Sequence, residues 1–389
     1  MSQKNAKPDM TQNSTVIVDE LNSETGSIGI LTLNLEKTLN SLTLEMVHSL
    51  TVSLKKWAND DSVKAVILRG AGDRAFCAGG DVQALYQSAI NPVDGICVEA
   101  EEFFFHEYQL NYLIHTYDKP IICLGNGIVM GGGLGLMAGA SHRVVTETTR
   151  IAMPEISIGI FPDVGATSFL NQLPYNLGYF FALTGAPMNA NDALFCQLAD
   201  YAILWKDYDQ LLESIKSISW ATETETNHGL IRDLLSVKSC ATSSLPDGNI
   251  KHNLATLEET CRHNSLSRMI EAIEHFDSDN VWLSKAKNTL NQGSALSALV
   301  IYEQLKRHMY ADLQSVFISE YTLMCNLVQQ PDFVEGVRAL LIDKDKNPQW
   351  HYKDATHISS TLLESLFTAR WEQHPLEMAL TNSTSSPKQ

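Results

Sequence analysis

The stretch GNGIVMGGGLGLMAGA, residues 125–140, follows a short β-type run and carries three consecutive glycines, Gly131, Gly132 and Gly133. Its later part is typical of a helix of small residues. A glycine inside a helix costs about 1 kcal/mol relative to alanine, so the run indicates a close approach to the backbone or tight helix packing. Exposed N–H groups at such a helix start could stabilise an oxyanion. The spacing matches neither a dinucleotide fingerprint nor a P-loop. Oxyanion binding and close packing alone remain equally open interpretations.

Around this stretch, short β-type runs alternate with helix-like segments over residues 27–205. The recurring order of strand, turn and helix predicts an α/β fold of stacked β/α units with a substantially parallel sheet. From about residue 206 the strand signals fade and helical patterns dominate. We therefore expect a disordered lead at 1–26, an α/β core at 27–205, a helical region at 206–380 and a disordered tail at 381–389.

The composition excludes several classes of function. The chain has 389 residues, and its 28 basic and 45 acidic residues give a net charge of −17. That balance argues against non-specific binding to nucleic acid or to anionic membranes. The seven cysteines form no CxxC pair and the histidines show no HExxH spacing, so neither a disulfide framework nor a metal is predicted. The chain opens without an apolar signal segment and has no membrane-spanning run, so we expect a cytoplasmic protein.

A second glycine motif is AFCAGGD, residues 75–81, which follows the predicted strand VKAVILRG. Two adjacent glycines after a strand allow a tight turn that leaves backbone N–H groups open to a ligand. The alternative is a plain turn into a helix capped by Asp81. Taken alone, the motif favours this plain turn.

The third motif is MPEISIGIFPD, residues 153–163, which holds an acid directly after each of its two prolines. Glu155 is surrounded by apolar residues, which raise the pKa of a carboxyl toward general acid or base use. The alternative for Glu155 is a surface acid on a turn. Asp163 precedes a predicted helix, so N-capping is its alternative role.

Together these motifs resemble the crotonase (enoyl-CoA hydratase/isomerase) superfamily, because AFCAGGD and MGGGLG look like its two oxyanion-hole segments in order and spacing. Within it, MPEISIGIFPDVGATSFL and the segment at 320–350 are similar to the 3-hydroxyisobutyryl-CoA hydrolase branch. The resemblance implies a spiral of ββα units with a helical C-terminal region. It also implies hydrolysis of a short branched 3-hydroxyacyl-CoA in valine catabolism. CoA is then part of the substrate, and no separate cofactor is expected.

The resemblance also implies roles for individual residues. The backbone N–H groups of Gly80 and Gly132 would hold the thioester oxygen. Glu155 matches the main catalytic acid and Asp163 the second, and Glu107 matches a further substrate-site acid.

Residues that wrap the CoA moiety are implied at Lys37, Leu39 and Ala78, and Lys344 is a candidate phosphate contact. This chain departs from the family in that segment. It reads NLEKTLNSL, where the family more often has an arginine and a proline before the lysine.

Two positions favour the hydrolase branch over hydratases. Hydratases resembling crotonase carry a second catalytic glutamate where this chain has Gly135, and they usually carry glycine where it has Asp163. An enoyl-CoA hydratase or isomerase with a reworked acid pair remains an alternative, as does a non-catalytic acyl-CoA-binding protein. Superfamily members commonly form trimers or hexamers. The C-terminal region could cover the usual interface, so a homo-oligomer is left open.

Overall fold

The computed structural model describes residues 14–277 and 279–384 of the chain. Nine strands lie in this part: β1 (Val16–Asn22), β2 (Ser27–Leu33), β3 (Val63–Gly70), β4 (Ala75–Cys77), β5 (Ile121–Gly125), β6 (Ile128–Met130), β7 (His142–Thr146), β8 (Arg150–Ala152) and β9 (Tyr201–Ile203).

The same part of the chain holds seventeen α-helices: α1 (Leu44–Ala58), α2 (Val82–Ile90), α3 (Val98–His115), α4 (Gly132–Ala138), α5 (Ala166–Asn171), α6 (Leu177–Thr184), α7 (Ala190–Phe195), α8 (Tyr208–Lys216), α9 (Thr224–Lys238), α10 (Asn249–Cys261), α11 (Leu266–Glu274), α12 (Val281–Gln292), α13 (Ala295–Arg307), α14 (Leu313–Leu327), α15 (Pro331–Val337), α16 (Ser360–Leu366) and α17 (Pro375–Thr384).

The strands form two sheets. Six strands make one sheet in the order β1-β2-β3-β5-β7-β9, and three make the other in the order β4-β6-β8. Only the β1–β2 pair among these described strands is antiparallel. Three times in succession the chain places one strand in the large sheet, the next in the small sheet, and then forms helices. This repetition confirms the predicted α/β fold and its spiral of ββα units.

Side chains alternate between the two faces of the large sheet. Ile30 and Ile67 face a hydrophobic cluster completed by α8 and α9, whereas Leu31 and Leu68 face the main core with α1 and α3. Strands of parallel sheets are covered on both faces, which explains their nearly continuous apolar sequences. The helices α8 and α9 therefore cover one face of the large sheet and belong to the core, although they follow the boundary predicted near residue 205.

The helical C-terminal region packs directly onto the core. One cluster of buried apolar side chains extends from Val16 to Leu380. The rings of Phe317 and Tyr321 on α14 lie 6.0 and 6.2 Å from the ring of Tyr108 on α3. This contact brings the C-terminal helices beside the helix that carries Glu107. After Ile203, the described part of the chain contains helices but no further strand.

The predicted disordered lead at 1–26 is wrong where the structure describes it. Strand β1 pairs antiparallel with β2 along its whole length, and Val16 is buried opposite Leu33. Most side chains of β1 are exposed, so the strand lacks the regular apolar pattern of a buried strand. It is held instead by backbone hydrogen bonds to β2. Residues 1–13 lie outside the described residues.

The predicted disordered tail at 381–389 begins too early. Helix α17 extends to Thr384, because Leu376 and Leu380 are buried and anchor it against the core. Residues 385–389 lie outside the described residues.

Candidate active site

The three sequence motifs follow the three strands of the small sheet. AGGD comes after β4, GGGLG after β6, and the MPE segment after β8. These strands pair in parallel, so their carboxyl ends meet at one edge of the sheet. Ligands of α/β proteins commonly bind outside the carboxyl ends of parallel strands. The topology thereby gathers motifs that lie far apart in sequence.

A cavity of about 190 Å³ lies at this edge. Six of the nine predicted site residues line it: Ala78, Gly80, Glu107, Gly132, Glu155 and Asp163.

The two glycine segments run side by side at the cavity. A methyl group added to Gly79 would lie 3.2 Å from the Met130 carbonyl oxygen and 3.6 Å from the Gly132 nitrogen. Gly132 is the first residue of α4, and an N–H group there has no partner within its own helix. Asp81 caps α2, as the alternative interpretation of AFCAGGD expects, since its carboxylate accepts a hydrogen bond from the Ala84 N–H.

Glu155 lies on a short 3₁₀ turn, Glu155–Ile158, and is only 6% exposed. Its Oε2 atom has no hydrogen-bond partner among the described residues. Burial raises the pKa of Glu155 well above its ordinary value of 4.5, and the nearby charge of Asp163 raises it further. The surface-acid interpretation of Glu155 is therefore wrong.

Asp163 is also 6% exposed, and its Oδ2 accepts a hydrogen bond of 2.5 Å from the Tyr108 hydroxyl. Burial raises the pKa of Asp163 to about 6, and the Tyr108 hydrogen bond works in the opposite direction. The N-capping alternative is wrong, because α5 begins three residues later and its cap is Gly165.

Glu107 is the third carboxyl group of the cavity and is 2% exposed. Its Oε1 lacks a hydrogen-bond partner among the described residues, and a methyl group on Gly132 would overlap it. A side chain at 132 would therefore displace the Glu107 carboxyl group. Burial raises the pKa of Glu107 well above 4.5, and the charge of Asp163 adds to the effect.

The missing glutamate at position 135 has a steric explanation. A methyl group on Gly135 would lie 2.6 Å from Val164 Cβ. Val164 directly follows Asp163 and has a φ of 58°, in the left-handed region that β-branched residues rarely adopt. A longer side chain at 135 would displace the turn that carries Asp163. The acid at 163 and the glycine at 135 are thus linked by packing.

Lys37 and Leu39 stand outside the described lining of the cavity. Lys37 is exposed on a 3₁₀ turn, Glu36–Thr38. The Leu39 carbonyl oxygen accepts a hydrogen bond of 3.0 Å from the Ala78 N–H, so Leu39 reaches the cavity only through its neighbour. Lys344 is exposed as well. The CoA contacts implied for Lys37, Leu39 and Lys344 stay predictions.

Two polar residues that hold the acids in place were not predicted from the sequence. Tyr108 is one, although it adjoins Glu107 in the sequence. The other is Glu320 on α14, which is fully buried and accepts hydrogen bonds from the Gly165 N–H at 2.7 Å and the Thr167 N–H at 2.9 Å. Burial raises the pKa of Glu320 to about 8. A lone acid in the apolar segment EYTLMC was the signal that could have identified it.

Other predicted features can be compared with the part of the chain that the structure describes. The seven cysteines are free thiols. Within residues 14–277 and 279–384, no group of three or more His, Cys, Asp or Glu side chains could hold a metal ion. No helix in the same part is both long and apolar enough to cross a membrane.

Replacing Glu155 by glutamine should stabilise the protein, and more so at higher pH. Because the pKa of Glu155 is raised in the folded state, there is a pH range above 4.5 in which the folded protein still binds this proton and the unfolded chain has released it. The free energy of unfolding of the wild type therefore falls as the pH rises through that range. In urea unfolding, the midpoint urea concentration of Glu155→Gln should exceed that of the wild type, and the difference should be larger at pH 8 than at pH 5. The exposed Glu258→Gln is the control. An equal change at both pH values would contradict the assignment.

The chain matches the family model described as Enoyl-CoA hydratase/isomerase over residues 28–367. The protein named 3-hydroxyisobutyryl-CoA hydrolase, mitochondrial, from Danio rerio is 34% identical over 344 residues, which are 88% of each chain. The 3-hydroxyisobutyryl-CoA hydrolase 1 of Arabidopsis thaliana is 34% identical over 92% of this chain and 93% of its own.

A solved structure, described as a carnitinyl-CoA dehydratase from Mycobacterium thermoresistibile, superposes with a TM-score of 0.80 and 34% identity. The match covers 93% of this chain and 98% of that one. The fold, the three motifs and these relatives agree. The chain belongs to the enoyl-CoA hydratase/isomerase family, in its 3-hydroxyisobutyryl-CoA hydrolase branch.

Proposed function

We propose that this protein hydrolyses a short branched 3-hydroxyacyl-CoA thioester, converting 3-hydroxyisobutyryl-CoA and water to 3-hydroxyisobutyrate and CoA, as a step of valine catabolism. The observation that carries the proposal is the pair of buried acids, Glu155 and Asp163, in one cavity, while Val164 packs where a glutamate at position 135 would need room. The names of the relatives from Danio rerio and Arabidopsis thaliana support the same activity.

In the proposed mechanism, the backbone N–H groups of Gly80 and Gly132 bind the thioester oxygen as it gains negative charge. Removing one such donor typically costs about 2.7–4 kcal/mol of transition-state stabilisation, so the pair would supply a large part of the catalysis. Both glycines line the cavity that contains Glu155.

Glu155 then acts in one of two ways. As a nucleophile, its carboxylate forms a C–O bond to the carbonyl carbon, the C–S bond breaks, and CoA leaves as a thiolate that takes up a proton. Water hydrolyses the resulting mixed anhydride and restores the carboxylate. As a general base, Glu155 removes a proton from the water that attacks the carbonyl directly. Single turnover in ¹⁸O-water separates the routes, because label in the Glu155 carboxylate would exclude a pure general-base route.

Asp163 orients the attacking water or the 3-hydroxyl group of the substrate. Tyr108 donates to one oxygen of this carboxylate, which fixes its direction in the cavity. We propose that Glu107 binds the polar part of the acyl group. Ala78, Leu39 and Lys37 are proposed to contact the CoA moiety outside the catalytic end.

A thioester panel tests the function. Free thiol should appear with 3-hydroxyisobutyryl-CoA, whereas crotonyl-CoA should release none and should not be hydrated. The assay contains EDTA, because we propose that carboxylates and N–H donors suffice without a metal or cofactor. Hydration of crotonyl-CoA without thiol release would favour an enoyl-CoA hydratase, an alternative kept open by the neighbour described as a carnitinyl-CoA dehydratase. Tight CoA-ester binding without turnover would indicate a non-catalytic binding protein.

The two acids should differ in their contributions. Glu155→Gln should lower kcat by on the order of 10²–10⁴-fold with KM largely kept, because glutamine is nearly isosteric but neither attacks carbon nor accepts a proton. Asp163→Asn should cost less, since its role is orientation. Steady-state kinetics on purified variants measure both. Near wild-type turnover by Glu155→Gln would refute the assignment.

We further propose a cytoplasmic protein that binds an acyl-CoA but neither nucleic acid nor membranes, consistent with its net charge of −17. The Danio rerio relative has the word mitochondrial in its name, so subcellular fractionation is the deciding measurement. We also propose a homo-oligomer, because members of the superfamily commonly form one. Light scattering of the purified chain measures its mass.

A further inference from the structure

Two leucines of the C-terminal region, Leu340 and Leu341, line the catalytic cavity. They lie on a single π-helical turn, Arg338–Ile342, which directly follows α15. Such turns are rare and frequently occur at functional sites. The turn is more than a hundred residues away in sequence from every other residue of the cavity lining.

The backbone contacts of α15 fix this turn relative to Glu155. A methyl group on Gly159 would overlap the Asp332 carbonyl oxygen, and one on Gly336 would lie 2.7 Å from Ile158 Cα. The start of α15 is therefore packed against the end of the Glu155 turn, and its last turn against Ile158. The fully buried Asp332 reinforces this contact by accepting hydrogen bonds from the Ser294 hydroxyl at 2.7 Å and the His351 N–H at 2.8 Å.

The π-helical turn is also held at its far end. The Arg338 guanidinium contacts the carboxylates of Glu335, Asp343 and Asp345 at 2.8, 2.6 and 2.8 Å. The Lys346 N–H donates to the carbonyl oxygen of Ala339 within the turn. These contacts restrain the turn on both sides, so the leucines it presents form a defined wall.

Several of the other apolar lining residues belong to the packed core. Leu85, Phe103 and Phe104 are 5%, 5% and 2% exposed, whereas Leu340 is 38% exposed. Leu341 is half-buried, as are some other apolar residues of the lining. The leucines thus belong to the part of the wall whose size can change without disturbing the packed interior. In a cavity of about 190 Å³, their bulk limits what fits beside the carboxyl groups.

We infer that Leu340 and Leu341 determine acyl-chain specificity, by closing the apolar part of the cavity so that only short acyl groups are accepted. The inference rests on the proposed function, because it takes the acyl end of a CoA thioester as the occupant. It assigns the selection of chain length to the helical C-terminal region, whereas the acids and the glycine segments come from the core.

The test compares Leu341→Ala and Leu340→Ala with the wild type on 3-hydroxybutyryl-CoA and 3-hydroxyoctanoyl-CoA. The ratio of kcat/KM for the eight-carbon substrate over the four-carbon substrate should rise by about tenfold or more in Leu341→Ala, because a methylene in an apolar pocket is worth about tenfold or more in discrimination. Ile342→Ala is the matched control. Ile342 lies on the same turn and is 39% exposed, but stands outside the described lining.

The inference is overturned if the ratio changes no more in the two leucine variants than in Ile342→Ala. It is also overturned if both substrates lose affinity equally, because the leucines would then contact the common CoA part. If the wild type does not hydrolyse 3-hydroxyisobutyryl-CoA, the proposed function fails separately. Dissociation constants of non-hydrolysable thioether analogues of the two chain lengths, measured in the same variants, then decide the inference by the same ratio.

Discussion

Three carboxyl groups buried around one small cavity are the constraint on which this structure depends. Glu107, Glu155 and Asp163 are each at least nine-tenths buried, and burial is the largest cause of the raised pKa of each. A buried ionised carboxylate is expensive unless it is hydrogen-bonded or paired. Here two of the three have an oxygen with no partner among the described residues. The unsatisfied oxygens are available to hydrogen-bond a ligand that enters the cavity.

The scaffold holds these acids by contacts that exclude other arrangements. The small sheet delivers the three motifs to one edge, and its glycines allow the carboxyl groups to approach the backbone. Val164 occupies the space beside Gly135 while its own backbone is left-handed. Glu320 accepts hydrogen bonds from the next backbone N–H groups, and so stabilises that strained turn from the C-terminal region. The second half of the chain therefore contributes to the cavity and its support: α14 supplies Glu320, and the turn after α15 supplies two leucines of the lining.

The local pattern of the sequence predicted a substantially parallel α/β fold, and the resemblance of its glycine and proline motifs to a known superfamily implied the spiral architecture and six residues of the cavity. Neither was sufficient for residues whose importance depends on tertiary packing. Tyr108 lies among many aromatic residues of α3, and nothing in the spacing shows that its hydroxyl reaches Asp163. The same holds for Glu320 and for the leucines of the π-helical turn. Strand β1 was missed because its exposed side chains lack an apolar pattern, so only its pairing with β2 reveals it.

A titration of the carboxyl groups by ¹³C NMR, with labelled glutamate and aspartate, tests the central claim most directly. The account predicts that Glu155 titrates well above its ordinary value of 4.5. In Asp163→Asn the pKa of Glu155 should move down, because a neighbouring negative charge has been removed. The resonance of Glu155 is assigned by its loss in Glu155→Gln. A Glu155 that titrates near 4.5 and does not respond to Asp163→Asn would contradict the account.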